Sequence, residues 1–392
     1  MTILAIETSC DETAIALIEG KKGKFKILSN IVSSQIKVHQ KWGGVVPNLA
    51  KREHQKNIVP VLKEALKKAG LLRKASKKIL EIKSGKIEEI LIREKDLYKK
   101  LGNFLENYQK PKIDAIAVTV GPGLEPALWV GVNFTRALSY FWDLPIIPVN
   151  HIEGHIFANF IDKRFLAQNK NVFPLVCLSV AGGHTQLILM KDYGKYTSRD
   201  ILPSVEYKLL GETRDDTAGE CFDKVARMLK LGYPGGPIIS KIAKNGDPNA
   251  FNFPRPMIYA KNYDFSFSGL KTAILYFLKK NSSKFIKKNK KDICASFQQA
   301  AIDVLIHKTI KAAQEFRAKT VLLSGGVAAN YELRHQLKEM VKIKIPNTQF
   351  SMPNIQFCID NAAMIGATAY FHRKTSKKRN WQKIVADANI KI

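Results

Sequence analysis

The sequence predicts an α/β protein made of two similar lobes, and two features suggest the duplication. A strand, a short turn rich in Gly, Ser or Thr, and a returning strand occur at residues 3–18 and again at 175–190. Later, a buried strand ends at Gly325-Gly326 before a helix. Two lobes that each cradle a phosphate at their own hairpin would explain this repeat. The alternative is chance, because Gly-rich hairpins are common.

In the first half, apolar and β-branched runs predict buried strands, and helical spacing of apolar residues predicts helices. A helix follows Trp42–Pro47, with a kink or break expected at Pro60 and an end at Gly70. The other predicted elements are strands Ile3–Ile6, Ala14–Ile18, Phe25–Val32 and Ile113–Val120, and a helix at Leu128–Phe141.

Residues 73–110 differ from their surroundings. They hold eleven Lys or Arg and six Asp or Glu, without proline. Apolar residues recur there at helical spacing, as at Leu97, Leu101, Phe104 and Leu105. This pattern favours charged amphipathic helices over a disordered linker.

The second half begins with its own strand-rich unit. The tail 373–392 is basic and weakly patterned. The predicted elements are strands Leu175–Val180, His184–Met190 and Thr320–Ser324, further strand before Phe350, and helices Thr217–Leu229, Gly269–Leu278, Lys291–Phe316 and Asn361–His372.

Composition narrows the functional classes. The 63 Lys or Arg against 34 Asp or Glu give a net charge of +29, which attracts polyanions such as nucleic acid. The alternative is codon bias, because most of the basic residues are lysine. No apolar run approaches the ~20 residues of a membrane span, and the N-terminus lacks the cationic lead of a signal peptide. We therefore expect a cytosolic protein that does not bind membranes.

The five cysteines argue against a disulfide framework and a thiolate zinc site. They are scattered, odd in number and form no CxxC pair, so we expect reduced and mostly buried thiols. They are Cys10, Cys177, Cys221, Cys294 and Cys358.

The segment His151-Ile152-Glu153-Gly154-His155 is the sharpest local feature. Histidines at i and i+4 lie on one helical face, where both imidazoles can reach one metal ion. Glu153 points away from that face, so this is not a zinc-protease motif. Asp360 is a candidate third ligand. The alternatives are two unrelated histidines and a plain Asp N-cap.

Several glycine-rich turns follow buried strands, and Gly lets backbone amides approach a phosphate or nucleoside. The turns are Ala181–Thr185 and Gly325–Asn330, the second of which opens a helix; Pro234–Pro237 could be only a turn. Asp223 falls in a helix and could bind a hydroxyl or pair with Lys224. No GxxxxGK[ST] occurs, so a P-loop is excluded.

Asp264–Thr272 alternates aromatic and hydroxyl residues before a helix. Phe265 and Phe267 would face one side of an extended strand, most often the core. Lys271 could contact phosphate, and the alternative is a solvated lysine.

Together these motifs closely resemble the TsaD (Gcp/YgjD) family of tRNA N6-adenosine threonylcarbamoyltransferases. The matching segments occur in the family's order over nearly the whole chain. They are Ala5–Thr13, Gly43–Pro47, Thr119–Leu124, His151–His155, Gly182–Leu187, Glu220–Lys224, Tyr233–Pro237, Phe253–Met257, Asp264–Thr272, Gly325–Asn330 and Asp360–Met364.

The resemblance implies the actin/hexokinase-like (ASKHA) fold, with two RNase-H-like lobes and a nucleotide cleft between them. It also implies the reaction. Threonylcarbamoyl-AMP would donate its threonylcarbamoyl group to the exocyclic amine of adenosine 37, just 3′ of the anticodon, in tRNAs reading codons that begin with adenosine. AMP would leave.

The resemblance also implies site residues. The family's ligands for one divalent metal per subunit, iron or zinc, match His151, His155 and Asp360. Acidic residues near the reacting end match Asp11 and Glu12, with Asp11 as the candidate base. The substrate-binding positions match the turn Ser179, Val180, Ala181, Gly182 and Gly183, and then Asp223, Gly236 and Asn330; Lys271 is a candidate tRNA contact.

The chain departs from the family pattern in three places. Ala181 replaces the usual Ser before Gly-Gly, so one hydroxyl donor is missing unless a backbone amide serves instead. Asn150 replaces the His common in bacteria before His151. Residues 73–110 are mostly an insertion, which we expect to alter partner docking or add a basic tRNA surface.

We expect a first lobe at residues 1–150, a second lobe at 151–359 with the metal and adenylate sites, and a C-terminal helix and tail at 360–392 returning to the first lobe. The motifs of this chain resemble those of the bacterial family members, and the resemblance therefore implies TsaB-like and TsaE-like partners. Alternatives are a non-catalytic scaffold of the same fold, which would lack the histidines, and an ATP-dependent kinase or ATPase.

Overall fold

The computed structural model describes residues 1–21, 24–75, 84–161, 172–192, 205–373 and 380–392. The strands are β1 Thr2–Glu7, β2 Glu12–Lys21, β3 Lys24–Ser34, β4 Ala115–Gly121, β5 Ile146–Asn150, β6 Leu175–Val180, β7 Thr185–Asp192, β8 Val205–Glu212, β9 Thr320–Ser324 and β10 Gln349–Ser351. The helices are α1 Ile36–His39, α2 Pro47–Lys68, α3 Ser84–Ile90, α4 Lys95–Asn107, α5 Glu125–Trp142, α6 His151–Phe157, α7 Ala218–Met228, α8 Gly235–Ala243, α9 Ser268–Lys280, α10 Ser283–Lys288, α11 Lys290–Glu315, α12 Tyr331–Lys344 and α13 Ala362–Phe371.

The strands form two five-stranded sheets that share one topology. In the first sheet the order is β3-β2-β1-β4-β5, with β1 antiparallel to β2 and parallel to β4. In the second the order is β8-β7-β6-β9-β10, with β6 antiparallel to β7 and parallel to β9. The duplication predicted from the two hairpins is therefore confirmed, and chance similarity is not the explanation.

Helices cover both faces of the first sheet. Residues of α2 and α5 pack on one face, and α13 packs on the other. The inner strand β4 is buried along its whole length, which explains why its sequence is a nearly continuous apolar run.

Helix α2 runs through Pro60, so the predicted break does not occur. Proline has no N–H, and Pro60 therefore leaves the carbonyl of Lys56 without its usual helical donor. Lys100 Nζ of α4 donates to Lys56 O over 3.3 Å. A neighbouring helix thus supplies a partner for the carbonyl that the proline leaves open.

The charged segment 73–110 forms the predicted amphipathic helices, α3 and α4, in its described part; residues 76–83 lie outside it. One face of α4 is buried against the first lobe through Leu97, Leu101, Phe104 and Leu105. The apolar spacing in the sequence therefore located the packed face correctly.

The elements that were not predicted are β5, β8, α1, α8 and α10. Helix α8 starts within Pro234–Pro237, where only a turn was considered. Gly and Pro are tolerated at a helix start, because the first N–H groups have no partner inside the helix. Phe265 and Phe267 are fully buried as expected, but they do not form a strand. Phe265 makes an isolated bridge to Thr213, and Phe267 is the N-cap of α9.

The chain returns to the first lobe at its end. Gly366 of α13 lies so close to the first sheet that an added Cβ would stand 2.5 Å from Ile18 Cδ1. In the tail, Asp387 N donates to Val120 O over 2.8 Å. The end of the chain therefore packs on both β2 and the end of β4.

All five cysteines have free thiols, and all but Cys10 are buried. Among the described helices, none combines the length and the apolar character that a membrane crossing requires.

Candidate active site

Two histidines share one face of the short helix α6. Asn150 is the N-cap of this helix, and its side chain accepts hydrogen bonds from the backbone N–H groups of Ile152 and Glu153. An Asn at this position thus has a local role, since it satisfies two N–H groups that the helix leaves open. The His151 and His155 rings lie one turn apart, with centroids separated by 4.7 Å.

Asp360 joins the two histidines from the far end of the chain. Its Oδ1 lies 3.1 Å from His155 Nε2 and 3.5 Å from His151 Nε2. The N-cap of α13 is the neighbouring Asn361, whose side chain accepts from Met364 N over 3.1 Å. The N-cap alternative for Asp360 is therefore wrong, and its carboxylate is free to face the imidazoles.

The three side chains fit a divalent cation. One potential ligand atom from each residue lies within 4.8 Å of the others. Both ring nitrogens of His155 are buried, and neither makes a hydrogen bond of normal geometry within the described structure. Because an unsatisfied buried nitrogen is costly, this is a site where a ligand is expected. Two imidazoles and one carboxylate are a donor set suited to zinc or iron.

Electrostatics keep the Asp360 carboxyl ionised. Burial raises the pKa of the Asp360 carboxyl, but the nearby charges of His151 and His155 hold that pKa well below its usual range. Burial lowers the pKa of His151, whereas the Asp360 and Glu7 carboxylates raise it to about 9. The carboxylate is therefore available as an anionic ligand at neutral pH.

A second layer orients His151. Its Nδ1 lies 3.2 Å from Glu7 Oε2 and 3.1 Å from Ser9 Oγ. Glu7 in turn accepts from Thr119 Oγ1 over 2.6 Å and from the backbone N–H of Ser9 over 2.5 Å. A carboxylate at Nδ1 favours the tautomer whose Nε2 is free for a metal. Glu7, Ser9 and Thr119 were not singled out from the sequence, although an acid closing an apolar strand was a usable signal.

Asp11 lies in the tight turn between β1 and β2, Glu12 is the first residue of β2, and both are almost completely buried. Burial, together with the negative charges of Asp11 and Asp360, raises the pKa of Glu12 well above its ordinary value. Ser34 Oγ donates to Glu12 Oε1 over 3.1 Å. The two acids therefore sit close to the triad in a poorly solvated environment.

His54 of α2 supports this turn from behind. Its Nε2 donates to Cys10 O over 3.0 Å, and its Nδ1 lies 2.8 Å from Thr13 Oγ1. Gln35 Nε2 also lies 3.3 Å from His54 Nδ1. The hydrogen bonds assign the proton to Nε2, and burial lowers the pKa of His54 to about 4. The sequence analysis missed this residue.

The second hairpin turn faces open space at its glycines. A Cβ at Gly182 or Gly183 would meet no atom within 4 Å, so a ligand can approach the backbone there. The amide of Ala181 donates to His184 O over 2.8 Å, so it is already used within the turn. Val180 ends β6 and is fully buried.

A third imidazole stands beside the pair. The His184 ring centroid lies 5.6 Å from that of His155, and its Nε2 lies 2.9 Å from Ser179 Oγ. Burial and the two neighbouring histidines keep the pKa of His184 well below its ordinary value. His184 therefore stays neutral, and it lies beside both Ser179 and the His155 ring.

Three other predicted residues make bonds within the protein. Asp223 Oδ1 accepts from Gly235 N over 2.6 Å at the start of α8, whereas Lys224 pairs with Asp216 and Glu220. Gly236 beside it faces open space. Asn330 caps α12 through Leu333 N and also donates to Gln298 Oε1 over 2.8 Å.

Lys271 is not a free solvated cation. Its Nζ lies 2.7 Å from Asp216 Oδ2, and Lys224 Nζ lies 2.7 Å from Asp216 Oδ1. Burial raises the pKa of Asp216, but hydrogen bonds from Lys224 and Lys271 lower it below its ordinary value overall. One carboxylate thus holds two lysines beside the second hairpin.

Comparison with known proteins gives the family. The model of the family described as "TsaD: tRNA N6-adenosine threonylcarbamoyltransferase" matches residues 26–80 and 103–367. The tRNA N6-adenosine threonylcarbamoyltransferase of Thermosipho africanus is 44% identical over 372 residues, which cover 94% of each chain. The enzyme of the same name from Clostridium botulinum (strain Hall) is 43% identical over 380 residues, or 96% of this chain and 95% of the relative.

Solved structures confirm the fold. Full-length HypF in the phosphate- and nucleotide-bound form superposes with a TM-score of 0.52 at 12% identity, covering 97% of this chain and 47% of HypF. HypF from T. kodakarensis gives a TM-score of 0.51 at 14% identity, over 94% of this chain and 47% of that one. The expected actin/hexokinase-like fold of two lobes is thus confirmed. By the family match and the full-length relatives, the chain belongs to the TsaD family of tRNA N6-adenosine threonylcarbamoyltransferases.

Proposed function

We propose that this tRNA-modifying transferase takes the threonylcarbamoyl group from threonylcarbamoyl-AMP and places it on N6 of adenosine 37 in tRNAs reading codons that begin with adenosine. In this step the amine nitrogen forms a bond to the carbamoyl carbon. The bond from that carbon to the phosphate oxygen breaks, AMP leaves, and the amine loses one proton. The proposal fits a cytosolic enzyme.

The convergence of His151, His155 and Asp360 supports this proposal most strongly. Residues more than 200 positions apart meet within hydrogen-bond distance beside the acidic turn of the first hairpin. A divalent iron or zinc ion held by these three residues would supply Lewis-acid polarisation of the donor's carbonyl.

The chain's own groups have distinct roles in the proposal. The turn Ser179–Gly183 receives the donor, because its glycines leave the backbone accessible. The adenylate's ribose and base would bind at Asp223, Gly236 and Asn330. Asp223 and Asn330 also accept backbone hydrogen bonds at the first residues of α8 and α12. Asp11 accepts the proton of the attacking amine, and Glu12 lies next to it.

The leaving group explains why the base need not be strong. A mixed carbamic–phosphoric anhydride already carries a good leaving group, so the main requirements are orientation and a polarised carbonyl. The buried turn supplies orientation and excludes water from a donor that water would hydrolyse.

Two alternatives are less well supported. A non-catalytic scaffold has no need for a preformed triad. A metalloprotease requires a glutamate beside the metal ligands, but Glu153 faces away, accepting from Tyr207 OH over 2.5 Å and contacting His372 Nε2 at 2.7 Å. We further propose that TsaB-like and TsaE-like proteins assist the enzyme, as the family resemblance implies.

The test is transfer of labelled threonine from threonylcarbamoyl-AMP to tRNA. Wild-type enzyme should label tRNA that carries adenosine 3′ of the anticodon, and not the same tRNA with guanosine there. The double variant His151→Ala with His155→Ala should lose transfer. A control with two exposed histidines replaced, His307→Ala with His335→Ala, should keep it. Full transfer by the triad variant would overturn the role of the triad.

A further inference from the structure

A groove of about 850 Å³ lies on the first lobe between α2 and α4. Three lysines line it, namely Lys63 of α2, Lys74 before the helices of the charged segment, and Lys100 of α4. Phe104 and Tyr108 form an aromatic wall. Cavities of this size accommodate small organic ligands or a nucleotide-sized segment of a larger one.

The aromatic wall is ordered by stacking. The rings of Phe104 and Tyr108 stack with centroids 5.0 Å apart at an angle of 26°. Phe104 is almost completely buried, whereas Tyr108 is half-buried at the edge of the core. Lys63 Nζ lies over the Tyr108 ring, 5.3 Å from its centroid. Tyr108 is therefore held by Phe104 and carries the Lys63 ammonium group over its ring.

The charge of the groove is positive and uncompensated. The three lysines are exposed, and among the described residues no carboxylate lies within 4 Å of their ammonium groups. Glu106 is the single acidic residue of the lining. Lys100 is held in position by its bond to Lys56 O. These cations are available to an anion.

Backbone pairing builds the groove in advance. Near the two ends of the charged segment 73–110, Lys74 and Tyr108 pair with each other through their backbones. Ala75 N donates to Asn107 O and Gln109 N donates to Arg73 O, each over 2.9 Å. The lysine and the tyrosine therefore come from paired backbone, and binding need not order a loop first.

We propose that this groove binds the tRNA substrate at a second place, with phosphates against the three lysines and a base stacked on Tyr108. The inference rests on the proposed function, which supplies the RNA. Proteins hold single-stranded nucleic acid with basic side chains along its phosphate backbone and with aromatic side chains on which its bases stack. An acidic protein segment would use the lysines but has no need of the aromatic wall.

The groove's place along α2 suits such a contact. His54 of the same helix bonds to Cys10 in the acidic turn, and Pro60 at the groove lies six residues further on, about 9 Å along the axis. The groove and the acidic turn therefore both contact α2. The match to the family is interrupted between residues 80 and 103, which leaves out all of α3 and the first part of α4. Of the three groove lysines, Lys100 lies in this unmatched part, whereas Lys63 and Lys74 lie inside the match.

Salt-dependent binding of unmodified tRNA tests the groove. The triple variant Lys63→Gln, Lys74→Gln and Lys100→Gln is compared with a control triple of exposed lysines in the second lobe, Lys279→Gln, Lys284→Gln and Lys288→Gln. The groove variant should bind tRNA about tenfold more weakly or worse. The slope of log affinity against log salt concentration should be smaller in magnitude by about 2. Each of the three lost phosphate contacts removes about 0.7 from that slope.

Tyr108→Leu separates stacking from charge. It should weaken tRNA binding about fivefold or more with an unchanged salt slope, since stacking releases no counterions. In transfer assays, groove variants should raise the KM for tRNA and leave the KM for the donor unchanged. Thermal unfolding checks that each variant is folded.

The outcomes distinguish the groove from the proposed function. If wild-type enzyme transfers no threonylcarbamoyl group, the proposed function fails, while tRNA binding still tests the groove. If the groove variants bind tRNA like wild type, or lose no more than the control triple, the groove inference is overturned. The inference is also overturned if the groove variants bind tRNA like wild type but lose activity only when partner proteins are present. That result would assign the groove to protein docking.

Discussion

Glu7 Oε2 lies 3.2 Å from His151 Nδ1, so a carboxylate at the end of the first strand holds the first histidine of α6. Burial alone would raise the pKa of Glu7, but the charge and the hydrogen bond of His151 lower it below its ordinary value. The contact joins β1 to α6 across 144 residues. It makes the orientation of His151 depend on the packing of the first hairpin.

Replacing Glu7 should therefore weaken metal binding. Glu7→Gln keeps the shape but removes the charge that favours the proton on Nδ1. We expect zinc or iron affinity to fall about 10- to 100-fold. Competition with a chelator measures the affinity, and Glu125→Gln on the exposed start of α5 is the control. Equal metal affinity in Glu7→Gln and wild type would contradict this role.

His54 should make stability depend on pH. Its folded pKa is lowered by burial to about 4, whereas the unfolded value is near 6.5. Between these values the unfolded chain binds more protons, so the His54 contribution is complete above pH 6.5 and is lost as the pH falls towards 4. The slope is about 1.4 kcal/mol per pH unit.

Urea unfolding at pH values from 4.5 to 7.5 checks this prediction. His54→Gln keeps a donor for Cys10 O but does not titrate. Its free energy of unfolding should therefore vary less with pH than that of wild type below about pH 6.5. Identical slopes in the two proteins would show that His54 is not the titrating group.

Ala181→Ser should strengthen donor binding. The Ala181 amide is already bonded to His184 O, so it does not replace the hydroxyl that the family usually has. One added hydrogen bond contributes about 0.5–1.5 kcal/mol. The KM for threonylcarbamoyl-AMP should fall about two- to tenfold. Ala181→Cys adds similar volume with only a weak donor, and an equal gain from it would assign the effect to packing instead.

Two glycines should respond in opposite ways to alanine. At Gly121, where φ is +148°, an added Cβ would stand 1.8 Å from Asp387 O, so Gly121→Ala must displace the tail. We expect it to lower the free energy of unfolding by about 1–3 kcal/mol. Gly102 in α4 faces open space, and Gly102→Ala should stabilise by about 0.5–1 kcal/mol. Denaturant unfolding measures both, and a stabilising Gly121→Ala would refute the tail contact.

Local features were largely predictable from the sequence. Strands, helices and the buried face of α4 follow from periodicity, because neighbouring residues fix which side of an element is apolar. The pairing of His151 with His155 is local in the same sense, since one helical turn places both rings on one face. The repeated hairpins likewise predicted the duplicated lobes.

Only the tertiary structure decided which distant groups meet. Asp360 reaches the histidines because α13 packs on the first sheet. Asn361, and not Asp360, is the N-cap of this helix, so the Asp360 carboxylate is free to face the imidazoles. Asp223 and Lys271 find partners inside the protein, at Gly235 and Asp216, since a nearby N–H or carboxylate competes for them. Sequence periodicity fixes the faces of elements, whereas these contacts depend on how the elements are placed, and that placement is set by packing across the whole chain.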